Sequence, residues 1–110
     1  MRIEDYQRQA MQTAIYPSRG TGEITYPVLG IAGEAGEIAD HAKKVMRDDG
    51  GVITPERREK IMDEMGDVLW YLAALATEMQ VGLVYVAERN LRKLADRASR
   101  GKLQGEGDNR

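Results

Sequence analysis

The segment PERREKIMDEMGDVLWYLAALATEM, Pro55–Met79, decides the fold. Thr54 ahead of it has the side chain of an N-cap, Pro55 suits a first helical turn, and Glu56 faces the positive end of the helix dipole. Ile61, Met65, Val68, Leu72, Leu75 and Met79 then recur at three- and four-residue steps, the period of an amphipathic helix. With Glu64 set at zero and about 100° per residue, those six fall between about 20° and 100°, with Asp67 near 300° and Tyr71 near 340°. The two acids therefore border the apolar stripe instead of opposing it. Between Gly66 and Ala76 the segment is apolar nearly all round, with Trp70, Ala73 and Thr77 away from the Leu72 stripe. A helix apolar on two sides is buried on two sides.

Working outward, the preceding segment starts near Pro27 and runs to Arg47, where Asp48-Asp49-Gly50-Gly51 ends it. With Glu34 at zero, Ile31, Ala35, Ile38, Ala42 and Val45 occupy about 20° to 100°, and Glu37, His41 and Lys44 about 280° to 340°. After a turn at Gly82, a last helix is expected from Leu83 to Arg100, with Gly101 as its C′ residue. With Asn90 at zero, Ala87, Leu91, Leu94 and Ala98 lie at about 40° to 100°, Lys93 near 300° and Arg97 near 340°. The first helix is expected over Ile3–Ile15, stopped by Pro17 through its restriction of Tyr16. A Gly-, Ser- and Thr-rich loop follows. No strand is legible. The expectation is an all-α, four-helix bundle-like domain over residues 1–101 and a polar tail over 102–110. Short connections favour antiparallel packing of the last three helices.

The three long helices share one layout, an apolar stripe with a polar edge on the same flank. Two edges are acidic and one is basic. If the stripes pack together, the edges meet in one cleft. Glu34, Glu37, Glu64 and Asp67 would then repel strongly without cations, and such hard oxygen ligands suit Mg²⁺ or Mn²⁺. A single E-x-x-E is usually a solvated face. Two acidic pairs on consecutive helices, both flanking the core, are much less ordinary. His41 is the sole histidine, a polar neighbour in its own right, and it argues against a di-iron site, which wants two Glu-x-x-His motifs. Gly30, Gly33 and Gly36 inside a helix each cost about 1 kcal/mol relative to Ala and read as close helix packing. No Gly-Lys-Ser/Thr follows them, so they form no phosphate loop.

Composition narrows the partners. The 110 residues carry a net charge of −2 with no basic excess, which speaks against nucleic acid as a partner. There is no Cys, which excludes thiolate chemistry. The charged start, Met1-Arg2-Ile3-Glu4-Asp5, is no signal peptide. The uncharged run Val68 to Thr77 is about half the length a membrane span needs. The expectation is a cytoplasmic chain with no membrane partner.

Gly33-Glu34-Ala35-Gly36-Glu37, followed after a spacer by Glu64-Met65-Gly66-Asp67-Val68-Leu69-Trp70-Tyr71, resembles the MazG-like family of all-α nucleoside triphosphate pyrophosphohydrolases. The similarity spans roughly Val28 to Arg97, and the tail from Gly105 to Arg110 looks like that of phage and bacterial members. The resemblance implies hydrolysis of a nucleoside triphosphate to the monophosphate and pyrophosphate. It implies Mg²⁺, with Mn²⁺ an alternative, on Glu34, Glu37, Glu64 and Asp67 as metal ligands and catalytic residues. It implies nucleotide or phosphate contacts at Tyr71, Asn90 and Lys93; Arg97 is a weaker match, and Lys44 is a further cation for the leaving group. Many relatives carry a second Glu just before the first motif Glu. Here that position is Gly33, which leaves a motif carboxylate to orient the water. Two other readings stand beside this one: a non-enzymatic helical oligomerisation module, and hydrolysis of phosphoribosyl-ATP. Because 110 residues cannot easily cover both sides of the third helix, a homodimer or homotetramer is expected.

Overall fold

The computed structural model describes residues 1–110 and contains four helices, α1 Ile3–Met11, α2 Thr25–Asp48, α3 Pro55–Glu78 and α4 Leu83–Ser99, with no strand. The boundaries of α2 and α3 follow from their caps. Thr54 is extended, and its hydroxyl accepts from the Arg57 N–H at 3.1 Å. At the far end Gln80 takes the left-handed conformation, at φ 58°, and the Val81 N–H reaches back to the Ala76 carbonyl at 2.9 Å. With the Gln80 N–H on the Thr77 carbonyl at 3.0 Å, this is a Schellman closure, which satisfies carbonyls that a helix end leaves open. The end of α2 also turns through a left-handed residue, Gly50 at φ 66°, but more widely, with the Asp49 and Gly51 N–H groups both on the Val45 carbonyl.

α1 ends four residues before the expected Ile15. The Ala10 carbonyl, which a continuing helix would offer to the Ala14 N–H, instead accepts from Trp70 Nε1 at 3.1 Å and from the Thr13 N–H and hydroxyl. A side chain of α3 therefore stops α1 before Pro17 can.

The second departure is larger. α4 is not an antiparallel neighbour of α2 and α3, since the chain turns by 100° between α3 and α4. Gln7 of α1 holds that corner. Its amide donates to Thr77 Oγ1 and to the Val81 carbonyl at 3.0 and 3.1 Å, and its Oε1 accepts from the Leu83 N–H at 2.8 Å. α4 thus packs on α1 and the end of α3 and does not touch α2, while α2 and α3 share the broadest helix–helix contact. The small core sits at the corner: Ala73, Ala76 and Leu83, ringed by Ile3, Tyr6, Met11 and Val81. No single helix is long and apolar enough to cross a membrane.

The rotation of α2 and α3 also differs from expectation. The α2–α3 seam is formed by Gly30, Glu34 and His41 on one side and Arg57, Glu64 and Tyr71 on the other. The polar edges face each other directly. Much of the apolar stripe lies outside, with Met65 56% and Met79 57% exposed and Leu72, Ala35 and Ala42 also open. The Trp70 and Ala73 side of α3, which had looked too much for one chain to cover, is covered by α1. Only ten of the 110 residues are buried, so most large apolar side chains lie at the surface.

Candidate metal centre and nucleotide site

Glu34 projects from α2, and Glu64 and Asp67 stand nearly one turn apart on α3. Each offers one carboxylate oxygen, and the three oxygens lie within 4.8 Å of one another. Glu34 and Glu64 are half-buried and Asp67 is exposed. A hydrogen bond with Glu64, then burial and the charges of Asp67, Glu64 and Glu37, raise the Glu34 carboxyl above its ordinary range. Burial, then Glu64 and Asp63, raise Asp67 likewise. Three acids this close resist full ionisation unless a cation compensates them, and an all-oxygen donor set of this kind fits a hard divalent ion. Glu37 is exposed and stands outside the trio, near enough to act on Glu34.

Beside the trio is an open cavity of ≈ 290 Å³ lined by Glu34, Asp67, Trp70 and Tyr71. Tyr71 lies flush against α2: a Cβ at Gly30 would fall 2.3 Å from its ring, whereas Gly33 and Gly36 face open space. Close packing thus accounts for Gly30 and not for the other two. Trp70 and Tyr71 also wall a second recess of ≈ 310 Å³, completed by Thr13, Ile15, Tyr16, Pro17 and Tyr26. Tyr16 and Tyr26 stack at 5.5 Å, and Trp70 meets Tyr16 and Tyr71 edge-on at 6.2 and 5.1 Å. The acidic cavity and the aromatic recess therefore share one wall.

A buried carboxylate fixes the far side of the recess. Glu78 Oε2 accepts from the Tyr16 hydroxyl at 2.5 Å, and the Gly20 and Gly22 N–H groups donate to the same carboxylate at 3.0 to 3.1 Å. Both glycines have positive φ, 82° and 85°, which turns their N–H groups inward at no steric cost. The Gly20 N–H first, then the Tyr16 hydroxyl, hold the Glu78 carboxyl below its ordinary range. Burial, then the bond to Glu78, push the Tyr16 phenol up to about 12.

Of the other expected residues, Lys44 spends its ammonium on Asp40 at 2.7 Å and lines neither cavity. Asn90 and Lys93 line a separate cavity of ≈ 460 Å³ with Val86, Arg89, Asp108 and Asn109. Arg97 is buried, 4% exposed, and its guanidinium is bound to the Asp108 carbonyl and carboxylate at 2.8 and 3.2 Å. Because α4 leaves α3 at 100° and never reaches α2, the basic edge does not meet the acidic edges within one chain. The cleft of three edges expected from the sequence is a meeting of two. The tail, expected as a bare polar extension, is tied down as well. Asp108 also pairs with Lys93 at 3.0 Å, and the Arg110 guanidinium donates to the carbonyls of Lys102, Leu103 and Gly107.

Sequence reasoning missed the aromatic wall and Glu78. A signal for the wall was present: the steps Tyr16-Pro17 and Tyr26-Pro27 bracket the loop, and it is their tyrosines that stack.

A family model described as the MazG nucleotide pyrophosphohydrolase domain matches residues 25–101, from the first residue of α2 to just past α4. The "Gene 37 protein" of Mycobacterium phage L5 is 48% identical over 114 residues, covering the whole of both chains. No solved structure matches. The matched span holds the acidic trio, Tyr71 and the Asn90 to Arg97 edge, and on it the chain belongs to the MazG nucleotide pyrophosphohydrolase family.

Proposed function

We propose that this protein hydrolyses a nucleoside triphosphate to the monophosphate and pyrophosphate, using Mg²⁺ or Mn²⁺ held by Glu34, Glu64 and Asp67 with Glu37 beside them. The observation that carries this reading is the shared wall: three convergent carboxylates and an aromatic recess on the two sides of Trp70 and Tyr71. A nucleotide has the same two ends, a polyphosphate that needs cations and a flat base that needs rings. Stacking of a base on aromatic side chains contributes about 1–3 kcal/mol. Divalent cations in such a site screen the phosphate charge and make water a stronger nucleophile.

The chain's own residues do the rest. Glu34, Glu64 and Asp67 fix where the polyphosphate lies by fixing its counter-charge. Tyr71, packed against Gly30, keeps the α-phosphate end in register with the base. A carboxylate oxygen not engaged by cation accepts the proton as water attacks the α-phosphorus, and the bond to the β-phosphate oxygen breaks. Lys93 and Asn90 serve the departing pyrophosphate, and because one chain does not bring them to the trio, a second copy supplies them. The exposed stripe of Met65, Leu72 and Met79 gives that copy an apolar face to cover.

Hydrolysis in ¹⁸O-water with mass spectrometry of both products tests the reaction. Label on the monophosphate is the expected result. Label on pyrophosphate alone, or release of orthophosphate and a nucleoside diphosphate, overturns it. Sedimentation that finds a monomer at micromolar concentration with Mg²⁺ overturns the shared site.

A further inference from the structure

The α2–α3 seam contains a polar chain that the reaction described above does not use. Asp49, the C-cap residue of α2, accepts from Arg57 Nε at 3.0 Å. The other arm of the same guanidinium, Nη1, lies 3.2 Å from His41 Nδ1. On the opposite side of the ring, His41 Nε2 faces Glu64 Oε1 at 3.9 Å. All four side chains are largely withdrawn from solvent, between 13% and 21% exposed.

The chemistry of these groups fixes a proton. A guanidinium only donates. His41 Nδ1 must therefore be the acceptor of the Arg57 contact and carries no hydrogen. In a neutral imidazole the proton then resides on Nε2, the nitrogen that points at Glu64. Asp49 in turn holds the guanidinium plane so that Nη1 stays on the ring. At 3.9 Å the final contact is an approach, longer than a hydrogen bond. A carboxylate that gives one oxygen to a cation turns the other toward the nearest donor, and here that donor is Nε2–H.

We propose that His41 is a positioning residue for Glu64, locked by Arg57 and Asp49 in the tautomer that presents Nε2–H to that carboxylate. The inference rests on the reading of Glu64 as a metal ligand. Groups that orient a ligand in this way typically alter metal affinity by 10- to 100-fold when removed. The arrangement also links the turn after α2 to the metal centre, because Asp49 and Arg57 flank that turn.

The chain has a single histidine, so its imidazole gives one set of ¹⁵N–¹H correlations with no assignment problem. In metal-free protein at alkaline pH, the expected pattern is that of the Nε2–H tautomer, and Arg57→Leu is expected to convert it to a mixture. A parent spectrum dominated by Nδ1–H, or an unchanged spectrum in Arg57→Leu, overturns the proposal. Titration with Mn²⁺ supplies the second readout. His41→Ala is expected to weaken uptake about tenfold with helix content intact, and His41→Gln, whose amide can still donate, to recover part of the loss. Equal uptake by parent and His41→Ala overturns the role of His41 alone. A parent that takes up no Mn²⁺ overturns the metal centre and this role together.

Discussion

Helix α3 has two seams, and they are made of opposite materials. Against α1 and α4 it presents Ala73, Ala76 and Thr77, small side chains that allow close approach, and the contact is apolar with a few exact polar stitches from Gln7 and Trp70. Against α2 it presents Arg57, Glu64, Asp67 and Tyr71, and the contact is charged and half-open. The first seam gains stability by excluding water. The second spends stability by holding three carboxylates together. One continuous helix thus carries a water-excluding packing surface on one flank and a charged, solvent-reached one on the other.

The sharpest way to separate the seams is Glu64→Gln. It is nearly isosteric and removes one of the crowded charges, so the metal-free variant should melt no lower than the parent. With Glu64 in its proposed role as a ligand, activity should fall on the order of a hundredfold. A Glu64→Gln enzyme as fast as the parent would erase the contrast, because Glu64 would then be mere packing.

Ala73→Leu is the mirror test. Ala73 is fully buried, and overfilling such a position costs about 1–3 kcal/mol. Chemical denaturation should show that loss while Mn²⁺ affinity of the folded fraction holds. A variant with parental stability would mean that the apolar seam is slack.

Gly30→Ala acts on both descriptions at once. The added methyl must push Tyr71 out of its place, into the cavity it lines with Glu34 and Asp67. A stability loss of about 1–3 kcal/mol is expected, together with a rise in KM. Unchanged KM would detach Tyr71 from substrate binding.

The last test is the acid dependence set by Glu78. Its carboxyl is held below the ordinary value in the fold, so the unfolded chain binds the proton more readily. The stability it contributes is complete above the ordinary glutamate range and is lost as pH falls through the lowered folded value. Melting temperature should therefore drop in that acidic window, and Glu78→Gln should flatten the drop. An equal acid slope in parent and variant would assign it to other carboxylates.

Much of this was legible in the sequence, for identifiable reasons. Thr54, Pro55 and the Gly50-Gly51 pair mark helix ends because capping is local chemistry. Glu34, Glu64 and Asp67 could be singled out because their spacing places them beside an apolar stripe. What a helical wheel does not contain is which arc the neighbouring helix takes. The stripes were expected to face inward, yet Met65, Leu72 and Ala42 lie outside. The direction of α4 was hidden for a similar reason. It depends on Gln7, a residue over seventy positions away that ties Thr77, Val81 and Leu83 at the corner. The pairing of His41 with Arg57 likewise requires the turn between α2 and α3 to be closed before the two meet.

Trp70 gives the molecule an optical readout of its own. It is the one tryptophan in the chain, its indole N–H is tethered to the Ala10 carbonyl, and its ring is part of the wall between the acidic cavity and the aromatic recess. A base laid in the recess would stack within range to quench its emission. Cations gathered at Glu34 and Asp67 would shift the local field that sets its emission wavelength. With a nucleotide bound as proposed, intensity and colour would report the base and the cations in unlabelled protein and in real time.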